Sequence, residues 1–308
     1  MSTRQQMGQV IAHAPAKVNL ALEVEPLRTG EEKHRLNSVF CTTSLADTLV
    51  FDFVSGREPF NAQLTFKSAD LDMSYLKEQD NTLIKTVEQF KRSYGFGFLP
   101  SGTLHVDLIK SIPTQAGLGG GSSDAAAMLR MLCWLAQVEP LSEQSLAIAQ
   151  TVGADVPFFL HAPKEGFCAH MGGYGDELIA VLPKPKLSMC LVKPEQGIST
   201  KRAYELFDSS AETPEAGTVE NLVEAVTAEK GPEEIAALCA NNLEQAATQL
   251  LPQIAQLKEE LAAYPGVLNA TLCGSGSALF AICKSPEAAQ ACMQHFASKG
   301  LWTVAVQT

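Results

Sequence analysis

Residues suited to phosphate binding are concentrated in one glycine- and serine-rich stretch, Pro113–Ser123. Four of the five residues at 117–121 are glycine, and so many glycines are tolerated where the backbone must come close to a ligand. A helix is predicted directly after the stretch, and the free N–H groups at a helix N-terminus attract phosphate oxygens. Ser122 and Ser123 add hydroxyl groups that could bind phosphate oxygens or Mg²⁺. We therefore predict a phosphate site and refer to Pro113–Ser123 as the phosphate loop.

The phosphate loop does not match the two commonest nucleotide-binding motifs. It lacks the GKS or GKT ending of a Walker A loop, and it is not set out as a dinucleotide-binding fingerprint. A flexible linker and a simple helix cap are the alternative interpretations. Glycine-rich linkers seldom lie between a strand and a strong helix, so phosphate binding is preferred.

A second candidate is Asp155, an acidic residue within the apolar run Gly153–Phe159. Such a carboxylate can serve as a general base or as the N-cap of a helix, and Pro157 two residues later favours a helix start. The local sequence leans toward the cap. The two roles are compatible, so both stay open.

Lys17 is the third candidate, on a predicted strand beside Asn19. A lysine on a strand is usually solvated. Phosphoryl transfer, however, needs a cation for the developing charge and a carboxylate near the attacking hydroxyl. The sequence offers both together with a phosphate loop, which makes a catalytic role for Lys17 plausible.

Two further features are weaker. His34 stands in a polar loop, where single histidines are mostly solvated. The run Gly274–Ser277 lies between two predicted strands, and it fits a tight hairpin as well as a second loop that approaches the substrate closely. Both interpretations of the run stay open.

The elements that would position these residues follow from hydrophobic periodicity. Residues alternate along Val18–Val24 as in a half-buried strand, and Asp80 or Asn81 could cap a helix that begins near Leu83. The order around the phosphate loop is strand, loop, helix. Other elements predicted in this half are strands at Leu49–Phe53 and Leu104–Leu108, a helix at Ala125–Leu135, and a helix from Ser142, with Glu143 in its first turn, to Gly153.

The second half of the chain alternates short strands with helices. Asp208–Gly217 is rich in Ser, Glu, Pro and Thr and predicts a surface loop. Strands with helices on one side indicate an α+β or mixed α/β layer architecture. The predicted elements are a strand at Leu187–Val192, helical segments at Glu233–Leu250 and Pro252–Ala263, and strands at Val267–Leu272 and Ala278–Cys283.

Composition limits the classes of function. The 308 residues are 46% hydrophobic and 19% charged, as in an ordinary globular protein. A net charge of −11 argues against general nucleic-acid binding. The eight cysteines include no CxxC pair and predict buried, reduced thiols. Met1–Gln9 is polar, and no window approaches the ~20 apolar residues of a membrane span, so we expect a cytoplasmic protein without a membrane partner.

Four segments together resemble the GHMP kinase superfamily of galactokinase, homoserine kinase, mevalonate kinase and phosphomevalonate kinase. They are Pro15–Leu20, Gly117–Ala126, Gly153–Pro157 and Cys273–Ala278, in the family's order. The resemblance implies an α+β fold of two domains. Residues 8–165 would form an ATP-binding domain of ribosomal-protein-S5-like topology, and residues 166–308 a ferredoxin-like domain.

The resemblance also assigns roles, with ATP and Mg²⁺ as cofactors. Asp155 matches the catalytic base, and Lys17 matches the lysine that polarises the acceptor hydroxyl. Asn19, His34 and Tyr204 match substrate-binding positions, Tyr204 by stacking on cytosine. The ATP-binding positions would be Lys110, Pro113, Gly117, Leu118, Gly119, Gly120, Gly121, Ser122 and Ser123.

Within the superfamily, the likeness is greatest to the kinases whose acceptor is cytidyl-diphosphate methylerythritol. The family's Asp-Gly-Tyr-His is replaced here by Glu31–His34, so Lys33 stands where a tyrosine would stack on cytosine. The family's adenine-side Asn-Leu pair is altered to Asn81–Leu83. A sister kinase for another small alcohol and a non-catalytic nucleotide-binding protein are the alternatives, and either a monomer or a homodimer is compatible with the sequence.

Overall fold

The computed structural model describes residues 8–68, 81–209 and 218–308, and the chain divides into two compact units. Each unit draws on several stretches of sequence. The predicted domain boundary between residues 165 and 166 stays a prediction. Unit 1 comprises Met1–Ala16, Ala46–Pro113 and Gly120–Ala162, and unit 2 comprises Lys17–Leu45, Thr114–Gly119 and Pro163–Thr308.

Unit 1 combines strands with helices that pack on one another. In the sheet, β4 pairs antiparallel with β2 and parallel with β3, and α2 packs against α1, α3 and α4. Helix α2 is therefore buried along most of its length. The elements are β1 (Val10–Val24) and β2 (Leu36–Ser55), which both continue into unit 2, β3 (Asn61–Lys67), β4 (Gly102–Ile109), α1 (Thr82–Tyr94), α2 (Gly120–Ala136), α3 (Glu143–Val152) and α4 (Val156–His161).

The helix caps predicted for α1 and α3 are confirmed. Asn81 accepts a hydrogen bond from the backbone of Leu83 at the start of α1, whereas Asp80 lies outside the described residues. Ser142 caps α3, Glu143 lies in its first turn, and Gly153 follows its last residue. The sequence therefore fixes the ends of both helices locally.

Unit 2 contains a four-stranded antiparallel sheet in the order β11-β7-β10-β9. One face of this sheet packs on α9 and α10 around a core that includes Phe296 and Leu261. The elements are β5 (Cys168–Gly172), β6 (Glu177–Leu182), β7 (Ser188–Lys193), α5 (Thr200–Ser209), α6 (Thr218–Thr227), α7 (Pro232–Leu238), β8 (Ala240–Asn241), α8 (Glu244–Leu250), α9 (Gln253–Ala262), β9 (Val267–Leu272), β10 (Leu279–Cys283), α10 (Pro286–Ala297) and β11 (Trp302–Gln307).

Three expectations need correction. Strand β1 is not half-buried from Ala16 to Leu22, because both of its faces are covered there. The helical segment at Glu233–Leu250 is interrupted by β8, which pairs parallel with β1. The predicted loop Asp208–Gly217 begins inside α5, and its residues 210–217 lie outside the described part of the chain, as do residues 1–7 of Met1–Gln9.

The remaining expectations about composition agree with the fold. The α+β architecture is confirmed, and all eight cysteines are buried thiols. Within residues 8–68, 81–209 and 218–308, no helix has the length and apolar character needed to cross a bilayer.

Candidate active site

The part of the phosphate loop in unit 2 is held by backbone hydrogen bonds. The amide of Ser277 donates to the carbonyl of Gln115 (3.1 Å), and the amide of Ala278 donates to that of Ala116 (3.3 Å). On β1, the amide of Lys17 donates to the carbonyl of Leu118 (2.9 Å). These contacts fix the first half of the loop without using any side chain.

Glycines in this half are required by the protein's own backbone. A Cβ at Gly117 would lie 1.8 Å from the carbonyl oxygen of Cys273, and Gly117 has φ = +75°. Gly119 has φ = +72°, which also favours glycine. Ligand approach alone was expected to explain these residues, but close packing on the segment after β9 already accounts for Gly117.

In unit 1, the loop becomes the first turn of α2 and lies beside the turn that carries Asp155. A Cβ at Gly153 would be 3.5 Å from Ser122 Oγ. Thr82, the first residue of α1, donates from Oγ1 to the carbonyl of Gly121 (3.0 Å). Ser123 Oγ is buried, and no described residue forms a hydrogen bond with it. An anion site at the start of α2 would therefore lie close to the predicted base.

Asp155 occupies the N-cap position of α4 but does not cap it. Its backbone is helical (φ −80°, ψ −11°), whereas a capping side chain needs extended backbone, and its carboxylate makes no cap hydrogen bond. The prediction that Asp155 caps the helix is therefore wrong, although Pro157 does lie in the first turn. Arg130 of α2 donates to three carbonyl groups at the other end of α4, those of Phe159 (3.0 Å), Leu160 (2.9 Å) and Ala162 (2.5 Å).

Lys110, predicted to bind ATP, lies between two buried carboxylates in unit 1. Its Nζ donates to Asp47 Oδ2 and to Asp124 Oδ2, the latter over 2.8 Å. The side chains are 3%, 0% and 3% exposed for Lys110, Asp47 and Asp124. We call these three residues the buried triad. Carboxylates of the protein thus accept hydrogen bonds from the Lys110 ammonium. The predicted contact of Lys110 with ATP stays a prediction.

Opposing effects shift the pKa values in the buried triad. Burial acts to lower the pKa of Lys110, but the charges and hydrogen bonds of Asp124 and Asp47 outweigh it and raise the pKa. Burial raises the pKa of Asp124, the charge of Lys110 opposes that rise, and the charge of Asp47 adds to it. Lys110 therefore stays charged. The two carboxylates repel each other in one enclosed space, and the lysine between them offsets that repulsion.

Lys17 and Asn19, both in unit 2, are buried rather than solvated. They are 4% and 2% exposed. Lys17 Nζ donates to Asn19 Oδ1 (2.7 Å) and lies 4.6 Å from the centre of the Phe40 ring. Asn19 Nδ2 in turn donates to Ser38 Oγ (3.0 Å). The structure thus brings together the predicted cation and one predicted substrate residue, and it overturns the expectation that a strand lysine faces water.

His34 and Tyr204, two further predicted substrate residues, also meet in unit 2. Their ring centres are 4.8 Å apart, and His34 Nε2 lies 2.6 Å from Asp208 Oδ1. Tyr204 and Asp208 are one turn apart on α5, so they present the same face to His34. We call His34, Tyr204 and Asp208 the aromatic cluster. Asp208 was missed by sequence reasoning because it borders a polar loop.

Gly274–Ser277 forms the turn of a β9–β10 hairpin. The amide of Cys273 donates to the carbonyl of Ala278 (2.8 Å), and Asn241 Nδ2 holds the carbonyl of Gly274 (2.7 Å). The hairpin interpretation is therefore confirmed. The turn contacts the phosphate loop through the amides of Ser277 and Ala278 and also bonds to Thr200 and to the carbonyl of Gln196. A role over the substrate stays a prediction.

Comparisons with known proteins agree with this arrangement. The model of the GHMP kinases N terminal domain matches residues 81–162, and that of the GHMP kinases C terminal domain matches residues 219–300. A 4-diphosphocytidyl-2-C-methyl-D-erythritol kinase of Desulfitobacterium hafniense (strain Y51) is 35% identical over 92% of this chain and 90% of its own length. The chain belongs to the 4-diphosphocytidyl-2-C-methyl-D-erythritol kinase family of GHMP kinases.

Solved structures place the GHMP kinase fold on the whole chain. A 4-(cytidine 5'-diphospho)-2C-methyl-D-erythritol kinase matches with a TM-score of 0.73 and 30% identity, covering 97% of this chain and 100% of that one. A homoserine kinase from Cytophaga hutchinsonii matches with a TM-score of 0.70 at 20% identity, over 100% of this chain and 97% of that one. The second likeness shows the fold alone. As a GHMP kinase, the chain uses ATP as its phosphoryl donor.

Proposed function

We propose that this chain transfers the γ-phosphoryl group of ATP to the 2-hydroxyl of 4-diphosphocytidyl-2-C-methyl-D-erythritol, a step of the non-mevalonate route to isoprenoid precursors. Family membership supports the acceptor. The observation that carries the chemistry is the position of the Asp155 turn beside Ser122, at the first turn of α2. A general base and a phosphate site are thereby close together within unit 1.

On the donor side, the first turn of α2 binds the triphosphate. Its N–H groups and the helix dipole favour phosphate oxygens. Mg²⁺ prefers oxygen ligands and is usually held by one or two protein groups together with substrate phosphates. Ser122 and the buried hydroxyl of Ser123 fit that pattern, and the described residues hold no cluster of three His, Cys, Asp or Glu. When bound, the ion neutralises charge on the transferred group.

On the acceptor side, each predicted residue has a separate task. Asp155 accepts the proton of the 2-hydroxyl, and the ammonium of Lys17 stabilises the alkoxide-like oxygen. Asn19 orients the Lys17 ammonium through their 2.7 Å hydrogen bond. His34 and Tyr204 bind the cytidyl group, with the Tyr204 ring stacking on the base. Positioning and electrostatics then supply most of the rate.

A competition among acceptors tests the proposed substrate. ADP release is measured with 4-diphosphocytidyl-2-C-methyl-D-erythritol, mevalonate, homoserine and galactose. We expect kcat/KM for the cytidyl acceptor to exceed the others by at least ~10²-fold, because a site built for polar groups rejects analogues that lack them. Equal or faster turnover of another alcohol would replace the acceptor. No ADP release with any of the four would refute kinase activity.

Replacing the proposed base gives a direct test of the chemistry. We expect Asp155→Asn to lower kcat by at least ~10²-fold, because the amide cannot accept the hydroxyl proton. The KM for ATP should change little. Asp107→Asn is the matched control, since Asp107 is 40% exposed and pairs with Lys67 on the sheet surface. Near-normal turnover of Asp155→Asn would remove Asp155 from the role of base.

A further inference from the structure

We propose that Lys110 is a positioning residue that fastens the strand before the phosphate loop to the helix after it, rather than a ligand of ATP. The inference rests on the proposed function only in taking the start of α2 as the phosphate site. It assigns a role to Asp47 and Asp124 as well, which sequence reasoning left without one.

Protein groups take up two of the hydrogen-bond donors of Lys110. An ammonium has three N–H donors, and Lys110 directs two of them at Asp47 and Asp124. Its side chain is only 3% exposed. To reach a phosphate, Lys110 would have to leave two buried carboxylates facing each other without a cation, which is strongly unfavourable. Its charge is therefore committed inside the protein.

Asp47 joins the triad to the backbone that leads into the loop. Asp47 Oδ1 accepts hydrogen bonds from the amides of Ser111 (2.6 Å) and Ile112 (2.9 Å), while Oδ2 accepts from Lys110. One carboxylate thus holds three consecutive residues immediately before Pro113. This contact sets where the chain enters the phosphate loop.

Helix α2 contacts the triad at its N-terminal turn. Asp124 lies one turn after Gly120, and a Cβ at Gly120 would be 3.3 Å from Lys110 Nζ and 2.9 Å from Ile112 Cγ2. The start of α2 therefore packs directly on the lysine and on the residue that Asp47 holds. The triad fixes residues 110–112 and 120–124 relative to each other, and these segments flank Thr114–Gly119 in the chain.

The test uses Lys110→Met, Asp124→Asn and the double variant, which removes one cation and one anion together and so avoids an excess of buried charge. Lys67→Met is the matched control, because Lys67 forms an exposed pair with Asp107. Two quantities are measured: the amide NMR signals of Ser111 and Ile112 without nucleotide, and the Kd of ADP by calorimetry.

If the triad positions the loop, both single variants shift the two amide signals and weaken ADP binding about tenfold. The double variant should then weaken ADP binding by about as much as one single variant, because coupled residues are not additive. Lys67→Met should leave both quantities unchanged. If Lys110→Met does not fold, Asp124→Asn and the double variant still provide both readouts.

A direct ATP ligand would behave differently. Lys110→Met and the double variant would then weaken ADP binding alike, while Asp124→Asn would bind ADP normally and leave the Ser111 and Ile112 signals unchanged. That pattern would overturn the inference. Because the amide signals are recorded without nucleotide, they test the triad even if the unsubstituted protein fails to bind ADP, a result that would instead refute the proposed function.

Discussion

Two groups of polar side chains, the buried triad of unit 1 and the aromatic cluster of unit 2, handle charge in different ways. The triad side chains are at most 3% exposed, and the partly buried Arg130 of α2 directs its described hydrogen bonds at backbone carbonyls. The aromatic cluster is more open at Asp208, whose side chain is 36% exposed, while the His34 side chain is 8% exposed. Polar groups thus have two uses in this protein. The triad and Arg130 hold chain segments in place, whereas the aromatic cluster keeps part of its surface available for a ligand.

The degree of burial explains why the triad and the aromatic cluster differ in use. A charge removed from water is tolerated only when protein groups replace its hydration, and breaking such an arrangement costs several kcal/mol, about 3–5. An exposed pair contributes about 0–1 kcal/mol. Substitutions of the enclosed groups of unit 1 should therefore lower stability, and substitutions in the aromatic cluster should act first on substrate binding.

Outside the triad, the largest effect on the free energy of unfolding is expected at Arg130. Arg130→Met would leave the carbonyls at the end of α4 without their donor, and hydrogen bonds to charged groups contribute about 1.5–3 kcal/mol. We expect the free energy of unfolding, measured in urea, to fall by about 2 kcal/mol. Arg57→Met, at an exposed position, is the control and should stay within about 0.5 kcal/mol. Equal urea midpoints for Arg130→Met and Arg57→Met would contradict a structural role for the Arg130 guanidinium.

Sequence reasoning could not have found Arg130 or the buried triad. Asp47, Lys110 and Asp124 are separated by 63 and 14 residues, and only the pairing of β2 with β4 and the start of α2 bring them together. Arg130 looks like any arginine on a helix. The contacts that define these residues are tertiary, so no local pattern reports them.

The next effect in size is expected at Tyr204. Stacking of an aromatic side chain on a base contributes about 1–3 kcal/mol, so Tyr204→Leu should raise the KM for the cytidyl acceptor about tenfold. Tyr204→Phe keeps the ring and should bind normally. The KM for ATP and the urea midpoint should change little in both variants. A loss of stability without a change in acceptor KM would place Tyr204 with the structural residues and break the comparison.

What the sequence did predict was local chemistry. The caps Asn81 and Ser142 were foreseen because a cap depends on residues within one turn. The order strand, glycine-rich stretch, helix was foreseen because these segments are adjacent in the chain, whereas phosphate binding by the stretch stays a prediction. The burial of Lys17 was not, since alternation describes two faces of a strand and cannot tell that both are covered. The packing requirement at Gly117 was missed, and only a ligand was expected there, because Cys273 lies 156 residues further along the chain.

The smallest effect is expected at Asp208, which tests how far the open cluster depends on an exposed charge. Asp208→Asn keeps a hydrogen-bond acceptor near His34 Nε2 but removes the charge, and because Asp208 itself is open to solvent we expect the charge to contribute only about 1 kcal/mol. We expect the KM for the cytidyl acceptor to rise about two- to fivefold, with kcat and the urea midpoint unchanged. Asp208→Ala, which also removes the acceptor, should raise KM further because His34 then loses its orientation. An equal KM for both variants would mean that packing on Tyr204 alone holds the His34 ring. A fall in stability comparable to that of Arg130→Met would show that the aromatic cluster stabilises the fold as the enclosed groups do.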